Sequence, residues 1–112
     1  MVVCLDFVSL GEVLVQLNAL SPGPLRHVRY FEVHAAGSEA NTLIGLSKLG
    51  HRCGFISRVG DDEFGKLILN TLRSEGVDVS KVKVEVQAPT GIYFVQKAFS
   101  CSGKVNVFKN VV

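Results

Sequence analysis

A chain of 112 residues has room for one small domain. It is 47% hydrophobic and 20% charged, which excludes intrinsic disorder, because a disordered chain lacks the apolar surface to offset the entropy of folding. The net charge of +2 comes from singly scattered lysines and arginines, so no basic run marks a nucleic-acid footprint and no nucleic-acid partner is expected.

Residues 2–10 are mostly apolar, interrupted only by Asp6 and Ser9, and read as a strand buried on both faces. No basic leader precedes this run, an acid sits inside it, and nothing approaches the roughly 18 apolar residues of a membrane span. The expectation is a cytoplasmic protein with no membrane partner. After Gly11 and Glu12, residues 13–17 form a second extended stretch, and Ser21-Pro22-Gly23-Pro24 turns the chain. Residues 30–34 alternate apolar with polar, as a half-exposed strand does.

Residues 38–49 change period. Ala40, Leu43 and Ile44 share one face, Leu46 and Leu49 broaden it, and Gly50 follows in the usual stop position. The spacing predicts a helix of about three turns capped by Ser38 or Gly37. Residues 53–59 return to an apolar strand. Asp61, Asp62 and Glu63 then cluster where a helix N-terminus favours negative charge, and Phe64, Leu67, Ile68 and Leu72 form one stripe ahead of Arg73 and Gly76. Residues 82–86 alternate strictly, Pro89-Thr90-Gly91 makes a turn, residues 92–98 form another strand, and residues 104–108 a further one. Strand, helix, strand, helix is the rhythm of a parallel sheet, and the alternating strands suit a separate antiparallel sheet with one open face.

Cys4, Cys53 and Cys101 have no Cys-x-x-Cys pair, and His27, His34 and His51 have no ligand-like spacing, so no metal site is expected. Cys4 and Cys53 lie in apolar runs, where a reduced thiol acts as a small hydrophobe. Gly60-Asp61-Asp62-Glu63-Phe64-Gly65-Lys66 matches the first seven positions of a phosphate-binding P-loop. Leu67, however, stands where a magnesium-holding hydroxyl belongs, and three carboxylates lie where amides should cradle an anion. The stretch is read as a helix start and not as a nucleotide site.

Ala36-Gly37-Ser38-Glu39-Ala40-Asn41 opens the first helix. A glycine before a helix lets backbone approach a ligand, and the first helical N–H groups point at it. Asn41 lies three residues after Ser38, so both side chains can look into one cleft, and its carboxamide both donates and accepts. A plainly capped helix accounts for the same residues on local grounds.

In their order, this stretch, Leu49-Gly50-His51, Arg58-Val59-Gly60-Asp61-Asp62, Phe64-Gly65 and Gly76-Val77-Asp78 resemble the N-terminal signature region of the ribokinase-like (PfkB) carbohydrate kinases. The likeness runs from about residue 9 to residue 94. Within that family the chain is most similar to 2-keto-3-deoxygluconate kinases of the archaeal kind, through Gly11-Glu12, the segment from Asn18 to Val28, Tyr30-Phe31-Glu32 and Pro89-Thr90-Gly91-Ile92-Tyr93-Phe94. The resemblance implies an α/β fold: a partial ribokinase-like parallel sheet with helices, at about 1–17 and 37–80, plus a small antiparallel β-lid, at about 18–36 and 81–108.

It also implies roles. Gly37 and Ser38 would meet a sugar acid, Asn41 would bond one of its hydroxyls, Tyr93 would reach it from the lid, and Glu12 holds the family's polar position. The intact kinase would use ATP and Mg2+. The family's later Gly-Ala-Gly-Asp loop, which carries the catalytic base and the anion hole, does not occur in this sequence. No catalytic residue is therefore assigned, and no full nucleotide site is expected. The expectation is the N-terminal part of a sugar-acid kinase, inactive alone, with homo-oligomer contacts through the lid or a separate C-terminal half as its partner. The alternatives are a non-catalytic sugar-acid-binding or lid-dimerisation module and one half of a split kinase.

Overall fold

The computed structural model describes residues 4–97. The start of the first expected strand at residues 2 and 3, the end of the expected strand 92–98 at residue 98, Cys101 and the expected strand at 104–108 lie outside the described residues. The described chain forms β1 (Phe7–Leu10), β2 (Leu14–Pro22), β3 (Phe31–Ala36), α1 (Ser38–Lys48), β4 (Cys53–Gly60), α2 (Glu63–Ser74), β5 (Val77–Glu85) and β6 (Ile92–Lys97), with one 3-10 turn at Leu25–His27. The predicted turn is therefore delayed: β2 runs through Pro22, and Gly23, at φ 108°, makes the bend.

Strands β1, β4 and β5 form a parallel sheet in that order. Both crossovers step across it in the same direction, and right-handed crossovers then place α1 and α2 on one face. The core has this arrangement. Ala40 and Leu43 of α1 and Ile68 and Leu72 of α2 pack in one buried cluster with Cys53, Phe55 and Val59 of β4 and Val77 of β5. Helix α2 starts as its acidic residues dictate: Asp62 is the N-cap in extended backbone, and its carboxylate accepts the Gly65 N–H at 2.7 Å.

Among the described residues no element covers the other face of this sheet. Val8, Leu10 and Ile56 are exposed there, with Leu10 in register with Ile56, so the first strand is covered on one face and not on both as its sequence suggests. Cys4 is likewise exposed, while Cys53 is buried and its thiol is pushed up by burial, with Asp6 adding to the effect.

Strands β3, β2 and β6 form the second sheet, with β2 central. It is mixed and not antiparallel. β3 runs antiparallel to β2, but β6 returns parallel to it after the long excursion through α1, β4, α2 and β5. The alternating stretch at 82–86 does not join this sheet, because β5 carries the parallel sheet on through Glu85. Its alternation puts Val82, in register with Ser57, and Val84, in register with Val59, on one face and Lys81 and Lys83 on the other, but only Val82 is partly buried and Val84 stays exposed. No helix among the described residues is long and apolar enough to cross a membrane.

Candidate functional site

At the carboxyl end of β1 the chain leaves the parallel sheet, and the Gly11 N–H still donates to the Ile56 carbonyl at 3.2 Å. Two glycines let the next elements close on this point. A Cβ on Gly11 would lie 2.7 Å from Cδ of Glu39, so the Glu39 side chain rests directly on the Gly11 backbone. A Cβ on Gly37 would lie 2.8 Å from the Glu12 carbonyl oxygen, and Gly37 holds φ 150°, a conformation L side chains rarely adopt. Gly11, Glu12 and Gly37 are thereby brought together at the start of α1.

Gly37 is the N-cap and supplies no side-chain cap, which leaves the first helical amides without the usual intramolecular acceptor. Ser38 is the first helical residue; its exposed hydroxyl donates to the Glu39 carboxylate at 3.1 Å. Asn41 closes the first turn by donating its N–H to the Gly37 carbonyl at 2.9 Å. Its side chain is exposed, and its carboxamide has no hydrogen-bond partner among the described residues. Ala40 and Leu43 beside it are buried, so α1 turns its apolar face to the core and presents Ser38 and Asn41 away from it.

The mixed sheet supplies the rest. Gln16 is in register with both His34 and Tyr93, and Asn18 with Glu32, so these side chains share one face of the sheet. The Tyr93 hydroxyl donates to Gln16 Oε1, and Gln16 Nε2 donates to Asn18 Oδ1 at 2.6 Å. His34 pairs with Glu32 on the same face. Burial pushes the Tyr93 phenol above its ordinary value, so the hydroxyl stays protonated and available as a donor. The row containing Leu14 and Ala36 lies two residues from the Tyr93 row, about 7 Å along the strands, and Gly37 follows Ala36 directly. The same face of the sheet therefore reaches the start of α1, with the apolar Leu14 and Ala36 between the polar side chains and the helix. Gln16 and Asn18 were not singled out from the sequence, although their alternation with Val15, Leu17 and Ala19 is a period-2 signal for one polar face.

The signature around residue 60 is structural. Thr90, only 3% exposed, donates its hydroxyl to Asp62 Oδ1 at 2.7 Å and accepts the Gly60 N–H at 3.0 Å, while its own N–H donates to Asp62 Oδ2 at 3.0 Å. Burial works to raise the Asp62 carboxyl, but hydrogen bonds from Thr90, Gly65 and Phe64 outweigh it and hold the group below the ordinary carboxylate value. A Cβ on Gly65 would lie 2.1 Å from the Gly60 carbonyl oxygen, and one on Gly60 would lie 2.6 Å from the Thr90 nitrogen, which accounts for both glycines.

The same network excludes a phosphate cradle here. The N–H groups of Gly60, Asp61, Gly65 and Lys66 are committed to Thr90, Glu85, the Asp62 carboxylate and the Asp62 carbonyl, respectively, and Lys66 Nζ sits 3.5 Å from Glu63. Gly65 and Lys66 lie inside α2, as expected of a helix start. Among the described residues no group of His, Cys, Asp or Glu is placed to hold a metal ion. The stretch around residues 60–66 therefore does not fit a nucleotide phosphate.

The sequence profile of the pfkB family carbohydrate kinases matches residues 5–100. The chain is 60% identical over 100 residues to the 2-dehydro-3-deoxygluconokinase of Thermoproteus tenax, covering 89% of this chain and 31% of that protein. Among solved structures it superposes with TM-score 0.83 and 36% identity on an uncharacterized sugar kinase from Pyrococcus horikoshii in complex with ATP, covering 95% of this chain and 35% of that one. A ribokinase II candidate from E. coli, in complex with ATP and Mg2+, superposes with TM-score 0.84 and 28% identity over 96% of this chain and 34% of that one. The chain spans about a third of the length of these relatives.

Proposed function

The chain belongs to the pfkB family of carbohydrate kinases, and from that membership we propose that it supplies the sugar-binding portion of an ATP-dependent kinase for 2-keto-3-deoxygluconate or a related sugar acid. The observation that carries this reading is Asn41. A carboxamide with an accessible donor and acceptor, one turn into a helix whose neighbouring residues are buried, and beside a glycine pressed on the Glu12 backbone, suits a ligand rich in hydroxyls. Ser38 and the first amides of α1 would meet the sugar from the same end, Glu12 from the end of β1, and Tyr93 from the mixed sheet, which acts as the lid. ATP with Mg2+ would deliver the phosphoryl group in the intact kinase, on residues this chain does not contain. Alone, the chain binds without turnover. The lid is the proposed contact with a second copy; in its apolar row of Leu17, Val33 and Phe94, Leu17 and Phe94 pack on the chain's own core and Val33 is exposed.

Isothermal titration with 2-keto-3-deoxygluconate tests the reading. Asn41→Ala should weaken binding by about 1–3 kcal/mol, roughly 10- to 100-fold. Alanine is the better helix former, so the same variant should be as stable as the parent or gain about 0.5 kcal/mol. Unchanged affinity removes Asn41 from the site, and ADP release above background with Mg2+–ATP refutes the claim that the chain cannot turn over alone. A second reading, one part of a kinase completed by a separate polypeptide, is favoured by the exposed apolar residues Val8, Leu10 and Ile56.

A further inference from the structure

An exposed stretch, residues 86–89, links β5 to β6, and Thr90 is the first buried residue after it, at 3% exposure. Two residues on, Ile92 enters the core cluster, and Tyr93 follows on the polar face of the mixed sheet. Where β6 starts, and so where the phenol hangs, depends on how the chain is caught at Thr90. The catch reaches the central strand of that sheet too, because Val15 donates its N–H to the Gly91 carbonyl at 3.0 Å.

Asp62 makes the catch, and its two carboxylate oxygens do different things. Oδ1 caps α2 by accepting the Gly65 N–H at 2.7 Å, and it also accepts the Thr90 hydroxyl at 2.7 Å. Oδ2 accepts the Thr90 N–H at 3.0 Å. Capping α2 needs only the first of these bonds. The other two hold the chain where the Tyr93 strand begins, and bonds to an ionised group are roughly twice as strong as neutral ones. The space around them is closed. A Cβ on Gly60 would lie 2.6 Å from the Thr90 nitrogen, and one on Gly65 would lie 3.2 Å from its hydroxyl oxygen.

We propose that Asp62 is a positioning residue of the sugar site: through Thr90 it sets where β6 begins and thereby where Tyr93 meets the ligand. The acidic start of α2 then serves the lid as well as the helix. That Tyr93 meets a sugar acid rests on the reading above. That Asp62 places Tyr93 does not.

Asp62→Asn separates the two roles of the carboxylate. Asparagine caps helices as well as aspartate does, and with its oxygen in the Oδ1 position it keeps the bonds to Gly65 and to the Thr90 hydroxyl. The carboxamide nitrogen then faces the Thr90 N–H, donor against donor. Turning the amide over would give up the cap. Isothermal titration with 2-keto-3-deoxygluconate should show binding about tenfold weaker, the loss of one hydrogen bond. In a Tyr93→Phe background the same change should move the affinity less than about twofold, because the hydroxyl it acts through is gone. Thr90→Ser keeps both the hydroxyl and the N–H and should bind as the parent does. Without ligand, the raised ionisation of the Tyr93 phenol should move toward that of an ordinary phenol in Asp62→Asn and stay in place in Thr90→Ser. The parent chain supplies a check that needs no variant. By linkage, bound sugar acid should slow hydrogen exchange at the Thr90 amide more than at the Ile68 amide inside α2.

A Tyr93 ionisation unchanged by Asp62→Asn, or equal losses of affinity in the parent and Tyr93→Phe backgrounds, would overturn the assignment and leave the sugar reading standing. A shifted phenol in a chain that binds no sugar acid would keep the tether and overturn the sugar reading. Equal slowing at Thr90 and Ile68 would mean that the ligand stabilises the whole chain and nothing at the tether, and the proposal fails.

Discussion

Replacing Thr90 by valine is a near-isosteric change that removes only the hydroxyl at the centre of the Gly60–Asp62–Thr90 network. Two hydrogen bonds are lost: the one donated to Asp62 Oδ1 at 2.7 Å and the one accepted from the Gly60 N–H at 3.0 Å. The first is made to a charged group, and losing the second leaves a buried donor without a partner, because Gly60 is itself buried. Together they should cost about 2–5 kcal/mol, against a total stability of roughly 5–15 kcal/mol for a domain of this size. Equilibrium urea unfolding followed by circular dichroism measures this, with the slope unchanged. The pH dependence adds a check on the cause. The folded Asp62 carboxyl lies below its ordinary value of 3.8, so its stabilisation is complete above that value and is lost as pH falls through the lower folded value. The valine variant has less of this stabilisation to lose, so the gap between variant and parent should narrow as pH falls below about 4. A deficit under about 0.5 kcal/mol, or one that widens with acid, refutes the reasoning.

Gly37→Ala brings a methyl group to 2.8 Å from the Glu12 carbonyl in a backbone conformation that disfavours L residues, and should cost about 1–3 kcal/mol. Gly50→Ala, at φ 95° with open space around it, carries the backbone cost alone and should be the milder of the two in thermal unfolding. The chain has two tyrosines, and spectrophotometric titration should show ionisation extending to higher pH than that of an ordinary phenol because burial raises Tyr93. Tyr93→Phe should remove that late portion, and its persistence would mean that Tyr93 does not lie in the half-buried position next to Gln16.

The elements with one strong local signal were legible in the sequence. Helix α2 follows from its N-terminal carboxylates, its stripe of Ile68 and Leu72, and Gly76 at φ 82°. Helix α1 follows from the spacing of Ala40 and Leu43 and from Gly50 at φ 95°. Sheet membership was not legible, because alternation reports which face of a strand is wet and nothing about its neighbour. Residues 82–86 alternate as an antiparallel strand would, yet they belong to or adjoin an edge of the parallel sheet. The direction of β6 depends on the whole path between residues 22 and 92, which no local pattern contains. At the site, Gly37, Ser38 and Asn41 could be placed from helix geometry alone, since all three lie within one turn. Gln16 became visible only when register set it beside Tyr93, 77 residues away in sequence.

The two edges of the parallel sheet are written for different surroundings. β5 keeps Lys81 and Lys83 on the face away from the helices, so that side is made for water. β1 carries apolar residues on both faces, and Leu10 is 74% exposed. Purely parallel sheets are normally covered on both faces, and α1 and α2 cover only one here. The apolar surface calling for a second layer is thus centred on β1 and Ile56 and fades toward β5. Among the described residues β1 also pairs with β4 alone, which leaves its outer edge open to a further strand. The proposed half-site begins at Gly11, the residue that follows β1. Any layer that covers β1 to its carboxyl end must therefore stand beside Gly11 and Glu12, so completing the core and completing the pocket are one structural step.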